Sequence, residues 1–233
     1  MSSAAGLPEP VPEPTRKEFQ GELDQLRLQV ELMGVRVDEN LERMREVLRT
    51  GDEELARAAF AADDDIDSMN VSLTERCYLM LGREAPVASD LRFIVSVLRI
   101  IGELERIGDL ALRVVKLQPD HALWTTFERP WDILVTLVDE AVELYRIALR
   151  AWSAQDVRLA SDLASRNRSL DLHHERLLTE LMRLDGPEAA RAAVSLSAAG
   201  RAAERIADHA VIVGARLRYL LTGEPANLVE EVR

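Results

Sequence analysis

Cysteine occurs once in the 233 residues, at Cys77, so an intramolecular disulfide is excluded and a reducing compartment is expected. Long apolar runs are missing. A membrane span needs about 20 consecutive apolar residues, and the most apolar stretch, from Phe93 to Ile101, is cut by Arg99 and followed by Glu103 and Glu105. The N-terminus lacks the basic start and apolar stretch of a secretory signal. Basic residues are outnumbered, 29 against 41 acidic ones, for a net charge of −12. That balance argues against nucleic acid, which needs a clustered basic surface, and against lying on an anionic membrane. It suits contact with a basic protein surface or the holding of cations. Gly and Pro are sparse, at 11 and 9, and no segment shows the alternation of a strand. A soluble, cytoplasmic protein without membrane insertion is expected.

What is present forms helices. Ala, Leu, Arg and Glu dominate the composition, and all are strong helix formers. Pro8, Pro10, Pro12 and Pro14 alternate with Glu and Val, which predicts an extended tail over residues 1–15. Phe19, Leu23, Leu26, Val30, Met33, Val37, Leu41, Met44 and Leu48 then step by threes and fours, the signature of one helix on the order of 50 Å long. Gly51 stops it, and Asp52 is placed to cap the next. The second helix carries Leu55, Ala59, Ala62, Ile66, Met69, Leu73 and Met80 and runs to about Arg83. Cys77 lies on the same stripe and reads as a buried structural thiol. Pro86 marks the first turn of the third helix, which reaches about Leu117.

The plan then repeats. Leu134, Leu137, Ala141, Leu144, Ala148 and Trp152 make a fourth helix. Asp156 caps a fifth, Gly186-Pro187 turns the chain, and the sixth ends at Gly223. The expected fold is all-α: two tandem antiparallel three-helix bundles of the spectrin-repeat type, related by internal duplication. They occupy residues 16–117 and 130–224, joined by a linker over 118–129 and followed by a short tail over 225–233.

The duplication is visible in one motif. Glu105-Arg106-Ile107-Gly108-Asp109 returns 99 residues later as Glu204-Arg205-Ile206-Ala207-Asp208. Each copy sets two carboxylates at i, i+4 on one helix face. The second helix adds Asp63 and Asp67 at the same spacing, with Asp64 and Asp65 beside them. An antiparallel turn near residues 84–85 puts Asp63 level with residue 106 and Asp67 with residue 102. In the second repeat, a turn near residue 186 puts Asp171 level with 201, and Asn167 with 205. Carboxylates converging in this way repel unless a cation intervenes. Two cations fit the pattern. A metal is one, since Fe, Mn, Mg, Ca and Zn all accept oxygen ligands. Arginine is the other, because Arg92, Arg99, Arg106 and Arg113 recur every seven residues beside the acids, and Arg99 or Arg106 could pair with Asp63 or Asp67.

Other features are weaker. His174, three residues after Asp171, lies on an apolar stripe and reads as a core histidine, with His173 as a second imidazole. Trp124, Trp131 and Trp152 read as packing residues. The Glu-x-x-His pair of di-iron bundles is absent, as are phosphate-binding glycine loops and nucleophile elbows, so no enzyme is expected.

The duplicated Glu-Arg-Ile-x-Asp, with Ala85-Pro86-Val87-Ala88-Ser89-Asp90-Leu91-Arg92 before it and Tyr219-Leu220-Leu221-Thr222-Gly223-Glu224 at the close, resembles the PhoU family from about Arg16 to Glu224. The resemblance implies a non-enzymatic, often dimeric helical regulator that silences the phosphate-starvation response and modulates phosphate uptake. Its implied partners are the ATPase of the phosphate ABC transporter and a membrane sensor histidine kinase. It also implies multinuclear metal clusters on the acid motifs, here Asp63, Asp67, Glu105 and Asp109, then Asp171, Glu204 and Asp208. Departures from the family pattern fall mostly in repeat two: Asn167 replaces its first acid, and the Pro-Val-Ala-x-Asp-Leu-Arg string is largely lost. Asn70 also stands where an acid is usual in repeat one. A full cluster in repeat one and a weak or empty one in repeat two is therefore expected. Direct phosphate binding is not, because the acids would compete for the arginine ridge.

Overall fold

A computed structural model describes residues 16–83 and 86–232; the tail expected over residues 1–15 lies outside them. The chain forms α1 (Arg16–Thr50), α2 (Glu53–Arg83), α3 (Ala88–Val115), a single turn α4 (His121–Trp124), α5 (Glu128–Ala154), α6 (Val157–Leu181) and α7 (Ala189–Thr222). No helix among these residues is long and apolar enough to cross a membrane.

The helix ends follow local chemistry. Gly51 and Gly223 take positive φ, 70° and 74°, and terminate α1 and α7. Asp52 Oδ1 accepts from the backbone N–H of Glu54 and Leu55, and Asp156 Oδ1 from those of Arg158 and Leu159. These side chains satisfy donors that a helix start leaves open. Pro86 precedes α3 rather than opening it. The residue ahead of Ala88, Val87, is extended and provides no side-chain cap. The 118–129 stretch is more ordered than its lack of period suggests. It holds a 3-10 turn (Gln118–Asp120) and α4, and α5 already starts at Glu128. Trp124 is buried and donates its indole N–H to Ser195 Oγ at 2.5 Å. Residues 225–232 form a 3-10 helix rather than a loose tail, and Asn227 Nδ2 donates to Thr222 Oγ1 at 2.9 Å.

Within each repeat three helices pack antiparallel, α1/α2/α3 and α5/α6/α7. The repeats also dock on each other, α3 against α7 and α1 against α5. Both cross-pairs run antiparallel: Glu103 meets His209 while Arg92 meets the far end of α7 at Leu220. Along α1 and α5, Glu31 meets Ser153 and Arg45 meets Asp139. Equivalent helices thus face each other about a pseudo-two-fold axis. Their buried residues form one continuous core, so α1, α3, α5 and α7 make a central layer, with α2 and α6 outside it.

The two docking seams differ in chemistry. On the α1–α5 side, Arg146 pairs with Asp38 and Glu42, and Arg45 and Arg49 both reach Asp139. Here Tyr145 Oη donates to the Gly34 carbonyl at 2.6 Å. A Cβ at Gly34 would lie 2.5 Å from Leu149 Cδ1, so a larger residue there would push the Leu149 side chain aside. On the α3–α7 side the contact is largely apolar and encloses a buried pair: His209 Nδ1 lies 2.5 Å from Glu103 Oε2, and Arg106 binds the other Glu103 oxygen. Arg92 adds its bond to the Leu220 carbonyl at the far end. Cys77 is fully buried, and burial pushes its thiol up to about 12, as expected of an inert packing thiol.

Candidate metal centres of the two repeats

Asp63 and Asp67 project from α2 toward the face of α3 that carries Glu105 and Asp109. The side chain of Asp63 rests over Gly108, its Oδ1 3.4 Å from the point where a Cβ would stand. The absent side chain lets the carboxylate approach α3. This sets Asp63 slightly higher on α3 than the level of residue 106 that turn geometry suggested. The site lies on the margin of the bundle: Asp67 and Asp109 are exposed, Asp63 and Glu105 half-buried.

The electrostatics confirm mutual proximity. Burial pushes Asp63 up to about 6, and Asp67, Asp109, Asp64 and Glu105 all add to the rise. Glu105 is raised as well, first by burial, then by Asp109 and Asp67, with Arg106 opposing. Among the described residues none of Asp63, Asp67, Glu105 and Asp109 makes an ion pair. The arginine ridge does not neutralise them. Arg106 is engaged by Glu103, and Arg92 donates to the Leu220 carbonyl at 3.0 Å. Arg99 and Arg113 are exposed.

The second repeat brings Asp171, Glu204 and Asp208 together in the same way, but with partners. Asp171 is raised by burial and then by Asp208, Glu204 and Glu175, while His174 lowers it. Glu204 is bound by Arg201 and approached by His174 Nδ1 at 3.2 Å. Asn167 Nδ2 donates to Asp208 Oδ1 at 3.0 Å. Asn167 therefore sits almost a turn further along α7 than turn geometry suggested. His174 is buried, as the apolar stripe implied, yet its ring also serves the acid cluster.

Three exchanges account for the contrast. Counted from the repeated motifs, Asn167 stands for Asp63, His174 for Asn70 and Arg201 for Gly102. Each removes a negative charge or supplies a donor. In repeat one the donor set is four carboxylates with no internal cation, which fits a hard or borderline divalent metal. Among the described residues no group of three His, Cys, Asp or Glu side chains is gathered to hold a metal ion as placed. The repeat-one carboxylates share a face and would have to swing inward around an ion.

The buried Glu103–His209 pair lies between the two clusters, two residues before Glu105 and one after Asp208. Sequence reasoning passed over it. The signal was present: Glu103 interrupts the stripe Ile100, Ile107, Leu110, Val114, and His209 interrupts Ile206, Val213. A charge on an apolar stripe calls for a partner across the interface.

The family model described as the PhoU domain matches twice, at residues 30–117 and 134–217. The chain is 32% identical over 187 residues to phosphate-specific transport system accessory protein PhoU homolog 2 of Mycobacterium tuberculosis, covering 78% of this chain and 86% of that protein. It is 29% identical over 209 residues to the PhoU homolog of Pseudomonas putida, covering 89% of this chain and 82% of the other. The crystal structure of PhoU from Pseudomonas aeruginosa superposes with a TM-score of 0.84 at 29% identity, over 88% of this chain and all of that one. With the duplicated helical architecture and an acid motif in each repeat, these matches are decisive: the chain belongs to the PhoU family.

Proposed function

We propose that this protein is an accessory regulator of phosphate-specific transport that acts by contact and not by catalysis. It represses the phosphate-starvation response when phosphate is plentiful and modulates uptake through the transporter's ATPase and a sensor histidine kinase, as a cytoplasmic homodimer. The observation that carries this reading is the match of both repeats, in order, to relatives that bear the transport-system name. A net charge of −12 also suits basic protein surfaces. The experiment is co-purification with the cell's own transporter ATPase and sensor kinase at high and low phosphate. Phosphate-dependent recovery of either is expected; recovery of neither under both conditions would overturn the reading.

We further propose that repeat one holds divalent metal through Asp63, Asp67, Glu105 and Asp109, while Asp171, Glu204 and Asp208 hold it weakly or not at all. The metal would supply the positive charge that lets the four carboxylates remain ionised together. Support comes from the unpaired acids of one repeat and the partnered acids of the other. Metal titration of wild type against a Glu105→Gln/Asp109→Asn variant tests it. Loss of all tight binding in the variant is expected, and unchanged stoichiometry would refute the assignment.

A further inference from the structure

Among the described residues the seam between α2 and α3 is covered by α1 on one side only. On the bare side, α3 presents Val87, Leu91, Val95, Leu98, Gly102, Glu105 and Asp109 within one narrow arc of the helix. Val87, Leu91 and Val95 are 53%, 44% and 38% exposed. On α2, Val71 and Tyr78 follow Asp67 on the same helix face and, counted from Asp63 at Gly108, fall level with about residues 100 and 93 of α3; they are 59% and 63% exposed. Five large apolar side chains thus lie along one seam, and the seam runs directly into the unpaired carboxylates. From Val87 to Glu105 it measures about 27 Å at 1.5 Å per residue, the length of a helix of about 18 residues.

Repeat two does not preserve this surface. At the matching positions Glu175 stands for Val71, Gly186 for Val87 and Ala190 for Leu91, leaving only Met182 and Val194. The same half of the molecule therefore has both the bare apolar seam and the bare acids. A contiguous apolar strip rimmed by charge marks an interaction surface, and a groove between antiparallel helices accepts a further helix.

We propose that this seam docks an amphipathic helix of a partner protein. Its apolar stripe lies over Val71, Tyr78, Val87, Leu91 and Val95, and its lysines or arginines lie over Asp67 and Glu105. Charge complementarity selects the occupant: an apolar helix with an acidic end would add negative charge to four carboxylates that already repel. Metal on Asp67 and Glu105 would compete with the helix's basic end for the same carboxylates, so the helix is tested with metal chelated.

The test uses fluorescein-labelled designed helices of 18 residues, with one leucine stripe and either a lysine-rich or a glutamate-rich end. Anisotropy is read against the full-length protein in EDTA. The lysine-ended helix is expected to bind in the micromolar range, and the glutamate-ended one about tenfold more weakly or worse. Leu91→Gln and Val95→Gln should each weaken the lysine-ended helix about tenfold while melting temperatures hold. Val194→Gln, at the repeat-two position matching Val95, should leave it unchanged. Glu105→Gln should weaken the lysine-ended helix and not the glutamate-ended one. Failure of the lysine-ended helix to bind, equal affinity for both helices, or equal loss with Val194→Gln would overturn the proposal. Conversion of a wild-type dimer to monomer by Leu91→Gln, seen in sedimentation, would also overturn it by making a second copy the occupant.

Discussion

The two repeats carry the same acid motif 99 residues apart and fold it onto equivalent helices, yet they resolve its charge in different ways. In repeat two, Arg201 and His174 engage Glu204 and Asn167 donates to Asp208, so two of the three acids have partners within the protein. In repeat one the corresponding positions are Gly102, Asn70 and Asp63. There the acids make no ion pair among the described residues, and burial together with their mutual repulsion raises Asp63 and Glu105, with only Arg106 opposing at Glu105. A duplicated motif has thus been kept in place while its surroundings diverged: one copy is partnered at two of its acids, the other makes no ion pair among the described residues. The side chains that face the motif, from α6 as well as from α7, decide how its charge is met.

The two repeats are held together by their docked helices, and breaking that docking should give the largest effect. His209→Ala leaves Glu103 buried with only Arg106, at a cost of about 3 kcal/mol. Chemical denaturation should show that loss, together with two unfolding transitions in place of one. Installing the repeat-two solution in repeat one comes next. Gly102 has open space around its Cβ position, so a Gly102→Arg/Asp63→Asn variant should fold and lose manganese affinity by about a hundredfold, read by calorimetry. The converse change sharpens the contrast. Asn167→Asp with Arg201→Gly should cost about 1 kcal/mol without metal, recover that on manganese addition, and raise the bound stoichiometry.

The smallest effect is in pH dependence. Asp63 has a folded value of about 6 against an ordinary 3.8, so the folded state binds the proton more tightly than the unfolded chain. The sign follows: stability is highest near the ordinary carboxylate range and falls as pH rises through about 6. After discounting for solvent screening the change is no more than about 1 kcal/mol. In metal-free protein the denaturation midpoint should fall as pH rises from about 4 to about 6, the window those two values set. Asp63→Asn should flatten that slope. A slope unchanged by the substitution would mean that another carboxylate carries it.

Much of this could be read from residues alone. The steps of three and four from Phe19 to Leu48 specify α1, Asp52 and Asp156 specify two helix starts, and Gly51 and Gly223 two ends. The duplicated motif announced two repeats and both acid sites. Less legible was the 118–129 stretch, where Trp124 is buried because it meets Ser195 from another helix, a contact no local period records. The arginine ridge was legible as a pattern but not as a set of partners. Arg106 reaches Glu103 rather than Asp63, because Glu103 faces inward toward α7 and needs compensation there.

The sequence by itself determined the helices, their order and the two acid pairs, because helical periodicity and capping act over a few residues and leave their mark in spacing. Only the tertiary structure decided that the repeats share one core through α3 and α7, and that Glu103 and His209 are buried together. It likewise decided that the acids of repeat one make no ion pair among the described residues while Glu204 and Asp208 of repeat two find partners. Each of those outcomes depends on which side chains meet across an interface. That is fixed by rotation and offset between helices, to within a single turn, and no pattern along the chain encodes it at that precision.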